Sequence, residues 1–324
     1  MTSLDAVLTA LLAVQRQSWE QGVAAQAALD LGREDLALLL AEAAVTRQAA
    51  DGRLADVAEP GAVNGAACGE AVLAAYRRTG NAVFADAARR QLAWLADDAP
   101  RAGDGTLFHL LGGREVWADT VYMVVPFLAL SGRADLAQAQ LDGHRRRLCA
   151  DGLYAAIWSE ETGSLRRAEH WGGGNGWVVA AIARTLRLVP GFPGRAGLAA
   201  HAREVLDACL ALRRPDGLFH DVLDDPATFR ETNAAQMFSY AASVGAADGW
   251  LPGSYAKVGR DLLAAASREV DRFGVVRGAC GSPRFDRPGT SAEAQAFHLL
   301  AARARSALPS DVAEARTRAG QLPD

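Results

Sequence analysis

The chain has no cysteines close enough together to suggest a metal knuckle or a disulfide framework. Cys68, Cys149, Cys209 and Cys280 are widely spaced, so buried, reduced thiols are expected. Charge of one sign is also lacking: the formal net charge is -4 and the pI is near 5.9. A nucleic-acid or anionic-membrane partner would call for a basic face, which this composition does not offer. No apolar run reaches the roughly 20 residues of a membrane span. The stretch from Ala6 to Val14 has no basic region before it and no small-residue cleavage site after it, so it reads as an outer helix of a first helical hairpin, not a leader. These absences point to a cytoplasmic protein that works without nucleic acid or membrane; a monomer or homodimer is expected.

What the chain does have is periodicity. Glu20, Asn64, Asp119, Asn175, Glu231 and Glu293 each stand at the head of an alanine-rich helical stretch, at intervals averaging about 55 residues. Between them a glycine step opens a second, longer helix at Gly32, Gly80, Gly132 and Gly194, and less regularly near Gly253. That helix then stops at a turn such as Asp51-Gly52, Asp104-Gly105, Asp151-Gly152 or Asp216-Gly217. One amphipathic hairpin cannot bury its apolar face alone, and six can close on themselves. The expected fold is therefore all-α: an (α/α)6 toroid over residues 1–305, with a tail over 306–324 that is a short helix or disordered. An open solenoid of the same hairpins is the alternative. In the toroid the polar helix heads meet at one end of the axis.

Two segments carry the chemistry. In Val116-Trp117-Ala118-Asp119-Thr120-Val121-Tyr122-Met123, Asp119 is either a helix cap or a working carboxylate. Trp117, Tyr122 and Met123 are large side chains at the mouth of a ring otherwise rich in alanine, as in a pocket wall that stacks on a sugar. A carboxyl desolvated among aromatics holds its proton longer and can serve as a general acid. In His170-Trp171-Gly172-Gly173-Gly174-Asn175-Gly176-Trp177 no Lys-Ser or Lys-Thr follows the glycines, which argues against a phosphate loop. Trp171 and Trp177 read as stacking platforms or as core, and Asn175 as a polar contact. His220 with Asp221, Asp224 and Asp225 reads as turn capping before Pro226 and not as a metal cluster. Glu20, Glu231 and Glu293 either reach the pocket or cap their helices.

The Trp117–Ala129 run, the Trp171–Trp177 run, and Asp216 to Asn233 together resemble glycoside hydrolase family 105, the unsaturated rhamnogalacturonyl hydrolases, related to the unsaturated glucuronyl hydrolases of family 88. The resemblance spans nearly the whole chain in order. It implies the same (α/α)6 barrel, a small oligosaccharide substrate, and no metal or organic cofactor. It also implies an unusual hydrolysis, in which an aspartate protonates the C4=C5 double bond of a terminal unsaturated uronate, water adds at C5, and the hemiketal opens to release the rest of the sugar. By this resemblance the acid and base falls on Asp119, with substrate contacts at His109, Met123, Trp171 and Trp177. Asn64 stands where the family has a second aspartate, Gly173 where it commonly has an arginine, and Ala155 or Ala156 where a histidine is expected. The missing cation makes Arg284, and next to it Arg287, the expected partner of a substrate carboxylate. The rival readings are an inverting glycosidase with Glu231 or Glu20 as base, an epimerase using paired histidines, and a non-catalytic sugar-binding protein.

Overall fold

The computed structural model describes residues 3–282 and 284–308. Twelve α-helices are found among them: α1 (Leu4–Val14), α2 (Ser18–Asp30), α3 (Glu34–Thr46), α4 (Gly69–Thr79), α5 (Ala82–Ala93), α6 (Thr120–Leu130), α7 (Ala134–Leu148), α8 (Gly172–Leu188), α9 (Arg195–Ala211), α10 (Asn233–Ala247), α11 (Ser254–Ser267) and α12 (Ala292–Ser306). The even-numbered helices form the inner ring, and a 3-10 turn, Asn64–Cys68, leads into α4. Contacts run from α2 through that turn to α6, α8, α10 and α12, and back to α2. The ring is closed, as the toroid requires and an open solenoid does not.

Sequence pattern separates the two rings. In α6 every residue from Thr120 to Ala129 is buried, as in a helix surrounded on all sides, whereas α5 buries only Phe84, Ala87, Ala88 and Gln91, a single stripe. Inner helices crowd where residues are small: a Cβ on Gly22 of α2 would lie 2.5 Å from that of Ala67. The turns that end the outer helices also anchor the loops. Gly105 adopts φ 86°, Asp104 Oδ1 accepts from Thr106 N at 3.1 Å, and Leu107 then enters the core with its N–H on Gln140 of α7. Leu54 repeats the arrangement with Gln91 of α5.

One expectation needs correction. As an outer helix, α1 packs mainly against α12 and not against the α2 that follows it, so the first and last elements together complete the sixth hairpin. Closure imposes this, since each inner helix needs an outer neighbour and α12 has no later helix among the described residues to supply one. Of the expected tail, α12 itself runs to Ser306, and 309–324 lies outside the described residues.

Deep in the ring Arg184 of α8 is buried. Its guanidinium pairs with Glu70 of α4 (Nη2 to Oε1, 2.7 Å) and Asp30 of α2 (Nη2 to Oδ1, 3.2 Å), and donates to Tyr240 Oη of α10 at 3.3 Å. Burial alone would lower its pKa, but the two carboxylates hold it well above its ordinary value. Removing one partner strands buried charge. Glu70→Gln is therefore expected to cost about 3–5 kcal/mol in denaturant unfolding. Lys257→Ala, in an exposed pair with Asp261, should leave the transition unmoved.

Candidate active site

At the end of the ring where the inner helices begin lies a cavity of about 270 Å³. Loops and short strands build its walls. Glu115–Trp117 pairs antiparallel with Ile157–Ser159, Val116 opposite Trp158, which brings Trp117 and then Asp119 to the mouth of α6. Asp119 stands at the N-cap position of α6 yet makes no capping hydrogen bond, and its side chain keeps 16% exposure. Its Oδ1 lies 3.6 Å from His109 Nδ1, which also lies 2.9 Å from Thr120 Oγ1. The His109 ring stacks flat on Trp117, centroids 4.4 Å apart and 2° from parallel. Burial lowers the His109 pKa against the pull of Asp119, so the imidazole is neutral at pH 7.

Seven of the expected residues line this cavity together: Asn64, His109, Trp117, Asp119, Met123, Trp171 and Trp177. Trp177 is also core, 3% exposed, with its ring centroid 4.7 Å from Tyr122 and 5.2 Å from Phe297. Three others do not line it. Asn175 is fully buried, and its amide closes a loop onto α8 by accepting from Tyr154 N (2.8 Å) and donating to Tyr154 O (2.9 Å). Glu20 caps α2, its Oε2 accepting from the N–H groups of Arg16 and of Gln17. Arg284 is exposed in the strand Arg284–Gly289, and its neighbour Phe285 lines the cavity instead. Successive residues of a strand face opposite ways, so motif spacing could not choose between the two.

Gly173 is explained by the aromatic beside it. A Cβ there would lie 2.5 Å from Trp171 Cζ2, so this indole occupies the room that a longer side chain would need.

The lining also holds carboxyl groups that were unassigned or secondary in the sequence. Glu59, beside Asn64, accepts from Ser18 Oγ, and burial raises its pKa. Glu231 is pushed up to about 7 by burial, although its oxygens accept from the backbone N–H groups of Asn233 (2.9 Å), Ala234 (2.6 Å) and Cys280 (3.1 Å). Glu293, in the first turn of α12, accepts from Trp19 Nε1 at 2.9 Å and is pushed up to about 7 by burial and by the nearby Glu20. Gln17, Trp19, Asn233 and Phe285 complete a polar and aromatic wall. The repeat marks Glu231 and Glu293 as helix heads. No sequence signal marked Glu59.

A closed helical ring with one acidic, tryptophan-lined cavity at the helix heads defines a six-hairpin glycosidase architecture. The chain belongs to glycosyl hydrolase family 88, whose model matches residues 5–293. It is 28% identical over 201 residues to the unsaturated rhamnogalacturonyl hydrolase YesR of Bacillus subtilis, a match covering 57% of this chain and 58% of that protein. The match thus spans little more than half of that relative's length. Its backbone is similar to a possible family 105 member from Salmonella enterica, with TM-score 0.81, 19% identity, and coverage of 94% of this chain and 92% of that one. A family 105 glycoside hydrolase of C. acetobutylicum is similar to the same degree: TM-score 0.81, 16% identity, and coverage of 95% and 100%.

The separation of wall from scaffold is testable. Asn175→Ala leaves two buried Tyr154 backbone groups unpaired and should cost about 1–3 kcal/mol of stability. Trp171→Ala should weaken sugar binding at least tenfold while moving the melting temperature little, measured by calorimetric titration and thermal unfolding.

Proposed function

We propose that the protein is a hydrolase that removes a terminal unsaturated uronic acid from small oligosaccharides by hydrating its C4=C5 double bond. One observation carries the reading: among the polar helix heads, Asp119 lies on the cavity with no backbone group to cap, beside a neutral histidine held flat on Trp117. Protonated, Asp119 delivers its proton to C4. As a carboxylate it then accepts a proton from the water whose oxygen bonds to C5, so one carboxyl group serves as acid and base and is regenerated. Water adds across the double bond, the C5 hemiketal opens to a ketone, and the hemiacetal left at C1 expels the alcohol. His109, its Nδ1 hydrogen-bonded to Thr120 Oγ1 and 3.6 Å from Asp119 Oδ1, stands beside the carboxyl and limits where it can turn. Trp117 and Trp171 offer ring faces for the sugar, with Asn64 as a hydrogen-bonding contact and Met123 and Trp177 flooring the cavity.

Two rival readings lose support in the same geometry. An inverting glycosidase with Glu231 or Glu20 as base needs that carboxylate free to activate water, and the oxygens of both are engaged by backbone N–H groups. An epimerase with paired histidines would need a second imidazole, and His109 is the only histidine lining the cavity among the described residues. Four free thiols support a reducing, cytoplasmic setting. A monomer or homodimer acting on products of polysaccharide lyases fits this picture. Asp119→Asn should fold normally and lose about 10²- to 10⁴-fold in turnover, followed as loss of alkene ultraviolet absorbance on unsaturated uronyl disaccharides. Retention of more than about a tenth of wild-type turnover would sink the assignment.

A further inference from the structure

A uronate ligand brings a carboxylate into a cavity with no arginine or lysine among its described lining residues, only a histidine that burial keeps neutral. An anion desolvated there needs hydrogen-bond donors. The indole N–H groups of Trp19 and Trp117 are committed to Glu293 (2.9 Å) and Glu115 (2.9 Å). Trp171 lies beside Asp221, an acid whose pKa burial raises. Two lining acids have an oxygen without a partner, Glu59 Oε2 and Glu293 Oε2; the side chains of Ser18 and Asn64 favour the charged form of Glu59, whereas Glu20 disfavours that of Glu293. Glu293 is 5% exposed, its Oε1 takes the Trp19 N–H, and its Oε2 is buried without a partner.

We propose that Glu293 is the group that recognises the substrate carboxylate: with Oε1 held by Trp19, the protonated Oε2 donates a hydrogen bond to a carboxylate oxygen of the uronate. The inference rests on the unsaturated-uronate reading for the identity of the anion. A neutral acid facing an anion shares one proton between two carboxyl groups and carries one negative charge, whereas an ionised Glu293 would put two carboxylates in contact.

The surroundings favour the neutral acid. Glu20 of α2 repels a charge on Glu293, and Cys280, in the strand Ala279–Gly281, supplies no cation, its own pKa being raised by burial and by the neighbouring acids. On the α10 side stands Glu231, another acid. His298 on α12 is held down at about 4 by burial and is neutral. Of the outer helices packed on α12, α11 carries Lys257, exposed and paired with Asp261, and Arg260; α1 carries Asp5. Burial and Glu20 together place Glu293 at about 7, so affinity for an anion should be full below that pH and fall as Glu293 ionises above it.

The test uses the full chain carrying Asp119→Asn, to stop turnover. It is titrated by tryptophan fluorescence with the methyl glycoside of a Δ4,5-unsaturated uronic acid and with its neutral methyl ester. For the acid, Kd should be flat to about pH 6.5 and rise toward tenfold per unit above about pH 7.5, while Kd for the ester stays level. Glu293→Gln keeps an acceptor for Trp19 and places a permanent N–H donor where Oε2 was. It should bind the acid with no pH dependence from 6 to 8.5. Trp19→Phe removes the N–H that stabilises the ionised form and should shift the midpoint upward by about half a unit or more, an effect that loss of packing alone would not give. Equal pH dependence for acid and ester, an unchanged profile in Glu293→Gln, or failure of the acid to bind at pH 6 would overturn the proposal. If binding behaves as stated but Asp119-intact protein leaves the alkene untouched, the hydration reading fails and the carboxylate site stands.

Discussion

The inner ring depends on one buried cation. Arg184 ties α8 to α4 and α2 through Glu70 and Asp30, and reaches α10 through Tyr240. Charges so deeply buried are costly unless their geometry is satisfied, so this contact penalises arrangements in which those four helices slide or rotate more than it adds net stability. Alanine and glycine contacts are nearly featureless and specify register weakly. A bidentate guanidinium specifies it strongly. Arg184 lies about 18 Å along α8 from its head, so fixing the helices there also fixes where their opposite ends converge. The cavity is the consequence of that registration.

At those ends the chain places buried acids repeatedly, and the same physics divides them into two kinds. A helix N-terminus has unpaired N–H groups that a carboxylate can satisfy. Glu20 and Glu231 are used in this way. Asp119 occupies the equivalent position and is not, because α6 begins with a tight turn in which Val121 and Tyr122 donate to the carbonyls of Ala118 and Asp119. What distinguishes a working carboxyl from a cap is therefore the local path of the backbone over two or three residues. The aromatic rings that surround it are held partly by acids too, through Trp19 on Glu293 and Trp117 on Glu115, leaving their faces to the cavity.

The fold was legible because glycine turns and alanine-rich stretches recur at a fixed spacing, and ring closure follows from six such units. The pairing of α1 with α12 was not, since nothing in a local pattern says which inner helix lacks an outer partner. In the candidate site, residues beside strong aromatic motifs were readable: Asp119, Trp117 and Trp171 line the cavity. Asn175 lies in such a motif and turns away, because its partner is the backbone of Tyr154 in the preceding loop. Arg284 was one residue from the position that lines the wall. The contact between Trp19 and Glu293 joins opposite ends of the chain, and the value of Glu293 depends wholly on that closure. Glu59 lies in a loop without a motif, visible only once the loop is folded beside Asn64.

The proposed chemistry differs from ordinary glycoside cleavage in the bond first attacked. Hydration begins at C4 and C5 and leaves the anomeric linkage to break afterwards, whereas a conventional glycosidase must activate the anomeric linkage itself. A sulfur-linked unsaturated uronide separates the two, since its anomeric carbon–sulfur bond resists acid-assisted departure while its double bond is unchanged. The decisive measurement is alkene absorbance against time for that compound, beside its oxygen-linked parent. Hydration catalysed at Asp119 is expected to consume both alkenes at comparable rates. A sulfur-linked compound that stays intact while the oxygen-linked one is cleaved would contradict it.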